Sequence, residues 1–159
     1  MHRIVISLGY LSEGITQIEE YENRLREKLN LFLSRLLESG VNIARATVMQ
    51  LGAIDNGELQ NSLAYVLYKE GNRGIIFTDC LHACYVEFGT GIMGSASPHP
   101  VLPWEYDTAG HGENGWYYYD VEQDRVRFTK GMPSRPFMYE TAKELERRAV
   151  EIAREVFSR

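Results

Sequence analysis

The chain has 159 residues, of which 44% are hydrophobic and 25% charged, so its composition excludes a disordered polypeptide and predicts one globular domain, spanning 1–159. The formal net charge of −5 argues against broad binding to a phosphate backbone, which requires a surplus of lysine and arginine on some face. No apolar run approaches the roughly 20 residues needed to cross a bilayer, and two cysteines do not make a disulfide framework, so we expect no membrane contact and synthesis in a reducing cytoplasm.

The N-terminal part predicts a short strand followed by a long amphipathic helix. Residues 4–8 are β-prone, and from about Glu13 apolar residues recur at intervals of three and four, which indicates a helix with one apolar stripe. The stripe comprises Ile18, Tyr21, Leu25, Leu29, Phe32 and Leu36, and it resumes beyond Gly40 at Ile43, Ala44, Val48 and Leu51. The helix therefore either continues with a kink at Gly40 or breaks into two at Ser39-Gly40.

The middle of the chain predicts two hairpins with a short helix between them. Asp55-Asn56-Gly57 is a turn signal, and 58–62 follow it as a helical turn. Residues 63–68 and 74–78 form a first pair of β-prone runs, and 116–121 and 125–129 form a second. Residues 81–88 are predicted to form the short helix.

The segment from about 89 to 115 is predicted to be a long mobile insertion. It holds six of the fourteen glycines and three of the five prolines, and it shows no convincing helix or strand period. Structureless loops of this length are uncommon in compact domains and are usually functional, so we expect this one to be ordered by a partner.

The last segment predicts the clearest helix of the chain. Pro136 suits its first turn, and an apolar seam with gaps of four and three follows. The seam comprises Met138, Ala142, Leu145, Ala149, Ile152 and Val156. Together, these elements predict an α+β fold in which an antiparallel sheet of about four to five strands is packed by the long N-terminal helix and the C-terminal helix.

Thiols and imidazoles form the cluster of side chains best suited to bind a metal ion. A small zinc-dependent hydrolase would use Cys80, His82 and Cys84 with His99 or His111, since zinc is held by about four nitrogen or sulfur ligands. The spacing matches no recognised zinc motif, and buried cysteines commonly act as small hydrophobic residues. We therefore predict no metal, no cofactor and no catalytic residue, and keep the hydrolase as the alternative.

Aromatic residues beside glycine or proline are the stronger signal. Tyr85, Phe88 and Gly89 lie in one such segment and Pro136 and Phe137 in another, and we expect these two segments to form a joint between elements. Trp104, Tyr106 and Trp116 are candidate intersubunit anchors, with core packing as the competing assignment. A stacking platform for single-stranded nucleic acid is a further hypothesis, which the net negative charge weakens. A toxin-like or DNA-binding module is another.

Three segments carry a family resemblance that covers nearly the whole chain from Glu13. Residues 55–63, Asp-Asn-Gly-Glu-Leu-Gln-Asn-Ser-Leu, resemble an Asp-Thr-Gly-x-Leu-x-x-Ser-Ile signature, and 84–91 resemble a Tyr-Val-Glu-Phe-Gly-Thr element. Residues 129–138 resemble a closing Pro-Phe-hydrophobic element before a last helix. These motifs and their order resemble the tail-completion and neck proteins of long-tailed phages, such as the lambda-like and HK-type minor tail proteins.

That resemblance implies a non-enzymatic virion protein encoded by a phage or prophage. It implies assembly in the host cytoplasm and a place in the tail or neck, where the protein completes the tail or joins head to tail. The implied partners are a tail terminator, a head–tail connector and further copies of the chain in a ring. DNA would meet the protein only by passing through the lumen of that ring.

Overall fold

The computed structural model describes residues 9–53, 57–68, 73–101, 104–106, 114–121 and 123–158. Its elements are α1 (Gly9–Gln50), α2 (Glu58–Ser62), β1 (Ala64–Leu67), β2 (Gly74–Phe77), α3 (Ala83–Phe88), α4 (Gly91–Ala96), β3 (Trp116–Asp120), β4 (Arg125–Thr129) and α5 (Phe137–Phe157). The strand predicted at 4–8 lies outside the described residues, as do Asp55 and Asn56 of the predicted turn.

Helix α1 runs without interruption through Gly40, so of the two alternatives the chain forms one continuous helix and the break at Ser39-Gly40 is wrong. The glycine serves close packing instead. A Cβ at this position would overlap Ile76 of β2 and lie 3.1 Å from Leu145 of α5. Glycine at residue 40 therefore lets the first hairpin and the last helix approach α1, and their contacts offset its low helix propensity.

Helix α5 lies antiparallel along the second half of α1. Leu145 packs near Gly40, and near the C-terminal end of α5 the ring of Phe157 lies 6.0 Å from that of Phe32. The hydrophobic core between these helices and the short elements includes Val41, Ala44 and Val48 of α1, Leu59, Leu63, Val86 and Phe137. The amphipathic patterns of both helices explain this arrangement, since α5 packs its apolar face against the second half of α1.

The predicted seam of α5 is correct in part. Val156 is buried, and Met138, Leu145, Ala149 and Ile152 are half-buried, but Ala142 is exposed. Thr141 is buried in its place, and its hydroxyl is satisfied because it donates to the carbonyl oxygen of Phe137 at 2.6 Å. A polar residue is therefore compatible with this position, although the hydrophobic pattern does not reveal it.

Both predicted hairpins form, but the single sheet of four to five strands does not. Among the described residues, β1 pairs only with β2 and β3 only with β4, in registers that run from Ala64↔Phe77 to Leu67↔Gly74 and from Trp116↔Thr129 to Asp120↔Arg125. The chain between the hairpins forms α3 and α4, and the first hairpin packs on α1. β-propensity identifies strands without identifying their partners, and these strands are pulled apart by the helices between them.

Part of the segment from 89 to 115 is regular structure. Gly91–Ala96 form α4, and aromatic rings pack closely against two of its glycines. A Cβ at Gly91 would lie 2.6 Å from Trp116, and a Cβ at Gly94 would lie 2.7 Å from Tyr106. Residues 102–103 and 107–113 lie outside the described part of the chain. The mobility of the insertion stays a prediction.

Candidate functional site

Glu87 joins α3 to the beginning of α5. Its carboxylate is buried, and it accepts hydrogen bonds from the backbone N–H groups of Met138 at 2.8 Å and Tyr139 at 3.0 Å. These N–H groups belong to the first turn of α5, where no intrahelical acceptor exists and where a negative charge complements the helix dipole. Glu87 thus caps a helix that begins 50 residues later in the chain, although α5 has no capping side chain of its own.

Backbone contacts complete this joint between the two motif segments. Arg135 N–H donates to the carbonyl oxygen of Val86 at 2.8 Å, and the Ser134 hydroxyl donates to that of Glu87 at 2.6 Å. Thr90 and Met132 form an isolated antiparallel bridge beside them. The segments Tyr85–Gly91 and 131–138 are therefore held together by hydrogen bonds and one bridge.

Gly89 is the residue at which the chain turns through this joint. Its φ of 78° lies in the region that favours glycine, and a Cβ there would lie 2.6 Å from the backbone nitrogen of Ser134. Phe137 is buried at 1% exposure in the core, and Pro136 immediately precedes α5. These three predicted residues hold the joint and present little side-chain surface to a partner.

The remaining predicted aromatic residues form a continuous set around α3 and α4. Phe88 stacks on Trp104 with ring centroids 4.4 Å apart and planes 5° apart. The Tyr106 hydroxyl donates to the carbonyl oxygen of Phe88 at 2.8 Å. Trp116 packs over Gly91 from the second hairpin. Stacking and hydrogen bonding therefore fix the positions of these rings before any partner binds.

Except for Phe88, these rings line one open, mostly apolar groove of about 590 Å³. Its lining includes five of the eight predicted site residues, namely Tyr85, Gly89, Trp104, Tyr106 and Trp116, and it adds Tyr118 of β3. Tyr85, Trp104 and Tyr118 are each at least 40% exposed. We call this feature the aromatic groove. Rigid aromatic rings that remain half-exposed are typical of protein-binding surfaces.

The second hairpin extends the exposed apolar surface beyond the groove. Tyr117, Tyr118 and Tyr119 of β3 are all exposed, as are Val126 and Phe128 of β4. A two-stranded hairpin with apolar residues exposed on both faces is marginal in water by itself.

The structure groups a different set of candidate metal ligands from the predicted one. Cys80 Sγ lies 3.2 Å from Nδ1 of His82, and Glu58 joins them, so that one ligand atom from each residue lies within 4.8 Å of the others. Cys84 belongs to no such group among the described residues, and its exposed thiol faces the carbonyl oxygen of Leu81 at 3.9 Å. His111 lies outside the described residues.

His99 is engaged through both ring nitrogens. Its Nδ1 accepts a hydrogen bond from the Val101 N–H at 3.3 Å, and its Nε2 donates to Glu87 at 3.2 Å. A metal at His99 would have to displace one of these buried contacts. Cys80, Cys84 and His99 do line a common open depression of about 660 Å³. Burial raises the pKa of the Cys80 thiol, with the negative charges of Glu58 and Asp79 acting in the same direction, so the free thiol is a poor nucleophile.

Glu87 is the site residue that sequence reasoning missed. The sequence places Glu87 in the short helix predicted at 81–88, where a carboxylate is ordinarily expected to face solvent. One indication is present: Pro136, the residue immediately before α5, has no side-chain acceptor with which to cap the helix. A helix start without its own cap indicates that an acceptor comes from elsewhere in the chain.

Comparison of the chain with protein-family models finds no match, and comparisons with curated proteins and with solved structures find none either. The described helices include none with the length and apolar character needed to span a membrane. What the structure defines is an α+β protein with a long N-terminal helix, a C-terminal helix and two small antiparallel sheets, carrying an open aromatic groove.

Proposed function

We propose that this chain is a structural virion protein of a phage or prophage, which completes the tail or joins head to tail by assembling with other proteins. Its place is the tail or neck of the virion, reached from the host cytoplasm during assembly. Its partners are a tail terminator or head–tail connector and further copies of the chain. It performs no catalysis and binds no cofactor in this role, and DNA meets it only by passing through an assembled ring.

The observation that carries this proposal is the aromatic groove. Its rings are positioned by stacking and by the Tyr106 hydrogen bond, while Tyr85, Trp104 and Tyr118 keep much of their surface exposed. Preorganised aromatic residues lose little conformational freedom on binding, so they suit anchoring of a protein partner. The motif resemblance of residues 84–91 and 129–138 to tail-completion proteins supplies the kind of partner, and both segments line or support this groove.

Binding to tail proteins tests the proposal. The experiment mixes the purified chain with the tail-terminator and connector proteins encoded near it, and measures complex formation by native mass spectrometry. Tyr118→Ser removes an exposed ring from the groove, and we expect it to weaken the complex by roughly tenfold or more. Tyr117→Ser is the matched control: successive side chains of a strand point to opposite faces, and Tyr117 does not line the groove.

A complex that Tyr118→Ser and Tyr117→Ser weaken equally would contradict a role for the groove. Absence of any complex with these tail proteins would contradict the proposed function itself. Circular dichroism of both variants confirms that the fold is retained, since both side chains are exposed on the same strand.

A metal-dependent hydrolase is the second candidate, because Glu58, Cys80 and His82 bring three suitable donor atoms together. Glutamate, thiolate and imidazole form a donor set that zinc accepts, and a fourth position would remain for water. Metal analysis of the purified chain separates the two candidates. Stoichiometric zinc that is lost in Cys80→Ser but kept in Cys84→Ser, together with hydrolytic turnover, would favour the hydrolase.

A further inference from the structure

The first half of α1 extends beyond the rest of the described structure. Helix α5 reaches Phe32 and ends there, whereas α1 continues toward the N-terminus as far as Gly9. Residues 9–31 span about 34 Å at about 1.5 Å per residue. From 11 to 27 every residue is exposed except the half-buried Gly14.

This free part of α1 carries an apolar stripe. Leu11, Ile15, Ile18, Leu25 and Leu29 follow a seven-residue repeat with gaps of four and three, in which Glu22 takes the one remaining position. The exposed fractions of Leu11, Ile15 and Ile18 are 60%, 56% and 67%. A repeat of 3.5 residues per turn is the pattern of a helix that pairs with another helix along its whole length.

The same stripe is covered further along. Phe32 is half-buried because Phe157 of α5 packs beside it, Leu36 is half-buried as well, and a Cβ at Gly40 would lie 3.1 Å from Leu145 of α5. One face of α1 is therefore covered by α5 in its second half and left open in its first half. Most helical stability in proteins comes from packing of an apolar face, so the first half requires a partner of similar shape.

Charge selects the partner and its direction. Within residues 11–29, most acidic residues precede Asn23 and the basic residues follow it. The acidic set is Glu13, Glu19, Glu20 and Glu22, and the basic set is Arg24, Arg26 and Lys28, with Glu27 as the exception. Two copies that run side by side in opposite directions, with their midpoint near residue 23, would place the acidic part of each helix along the basic part of the other.

We propose that two copies of this chain pair through an antiparallel contact between residues 17–29 of their α1 helices. Glu19 follows the stripe residue Ile18, and Arg26 follows Leu25, so both lie on one edge of the stripe. The antiparallel arrangement brings Glu19 beside the partner's Arg26 on that edge. On the other edge Tyr21 meets the partner's Lys28, a cation–aromatic contact of the kind that Lys143 and Tyr139 make at 5.1 Å within the chain.

This inference goes beyond the proposed function and does not depend on it, because the pairing surface shares no residue with the aromatic groove. A parallel, in-register pair would instead align the acidic stretch of one helix with that of the other. The antiparallel contact is the same patch on both copies, so it closes after two copies and leaves both grooves open.

Analytical ultracentrifugation of the full chain across a dilution series tests the pairing. We expect a monomer–dimer equilibrium that Ile18→Glu shifts to monomer, because it places two charges in the apolar contact. Gln17→Glu is the control: it adds the same charge at an exposed neighbouring position off the stripe and should leave the equilibrium within about twofold of the wild type. A wild-type chain that stays monomeric, or a dimer unaffected by Ile18→Glu, would overturn the proposal.

Charge exchange tests the direction. Glu19→Lys and Arg26→Glu should each weaken the dimer by about three- to tenfold, since each places like charges together twice per pair. The chain carrying both changes should recover most of that loss. Arg26 also forms an ion pair with Glu22 of its own helix at 2.7 Å. Circular dichroism of each variant therefore checks that loss of this pair leaves the helix content unchanged. A double variant no tighter than the singles would overturn the antiparallel arrangement. Failure here leaves the Tyr118-dependent binding of tail proteins as it stands, so the two proposals fail separately.

Discussion

Replacement of Glu87 provides the sharpest test of how this fold is held together. Glu87→Ala removes the acceptor for two backbone N–H groups at the start of α5 and the partner of His99 Nε2. The site is buried, so water does not readily replace the carboxylate. We expect a large loss of stability without loss of the helical content of α1, most of which lies outside this joint.

The magnitude follows from the hydrogen bonds. A hydrogen bond to a charged group contributes about 1.5–3 kcal/mol, so two of them give about 3–6 kcal/mol. Loosening of the first turn of α5 admits some water and lowers the cost, which leaves an expected loss of about 4 kcal/mol for Glu87→Ala. Glu87→Gln keeps one acceptor oxygen and the side-chain volume, and it should cost about 2 kcal/mol. Either value is a large part of the roughly 5–15 kcal/mol by which a domain is stable.

Urea denaturation followed by circular dichroism measures these free energies of unfolding. Glu140→Gln is the matched control, since Glu140 also lies in the first turn of α5 but its side chain is 41% exposed and pairs only with Lys143 among the described residues. A carboxylate near a helix terminus in solvent contributes about 0.3–1 kcal/mol, so this control should cost no more than that.

A loss below about 1 kcal/mol in Glu87→Ala would refute the reasoning, because it would mean that the buried carboxylate adds no more than a solvated one. An equal loss in Glu140→Gln would refute it differently. It would show that charge near the helix terminus matters and that the hydrogen bonds through the joint do not.

Two further expectations concern the thiols and the glycines. A thiol reagent should modify the exposed Cys84 of the folded chain rapidly and the buried Cys80 only slowly. The reason is that burial raises the pKa of the Cys80 thiol and so lowers its thiolate fraction. Equal rates for both thiols would contradict the burial of Cys80. Gly89→Ala should cost about 2 kcal/mol or more in urea denaturation, since its φ is 78° and a Cβ would crowd the joint. Gly14→Ala, where a Cβ would meet nothing within 4 Å, should instead stabilise α1 slightly, and equal effects of the two changes would count against the close packing at Gly89.

The elements of this fold are predictable from sequence because their signals are local. The stripes of α1 and α5 and the β-prone runs of both hairpins each arise within one segment, and the structure has all of them. The sequence could not decide whether α1 continues through Gly40 or breaks there, because the packing at Gly40 depends on Ile76 and Leu145, which approach from other elements.

Contacts between distant segments account for what the sequence does not reveal. The two hairpins read as one sheet because β-propensity contains no information on pairing partners. The bond of Glu87 to the start of α5 joins residues about 50 positions apart, so the sequence near α5 does not identify which residue supplies the acceptor. Convergence of Tyr85, Trp104, Tyr106 and Trp116 on one groove likewise depends on how α4 and the second hairpin fold back on α3.

The uncovered half of α1 is a case of the opposite kind. The stripe through Ile18 and Leu25 is plain in the sequence, and it would be taken for part of the core. Only the structure shows that α5 ends beside Phe32 and leaves that stripe exposed. The sequence therefore predicts the apolar surface, and the fold determines that it lies outside the body of the chain.

The central claim is that this chain acts by fitting against other proteins. Native mass spectrometry of the wild-type chain, alone and mixed with neighbouring tail-terminator and connector proteins, tests it most directly. We expect discrete complexes, with Tyr118→Ser reducing those that contain a tail protein and Ile18→Glu reducing those between copies of the chain. A chain that stays a monomer in every mixture, while it binds zinc stoichiometrically and hydrolyses a substrate, would contradict the claim.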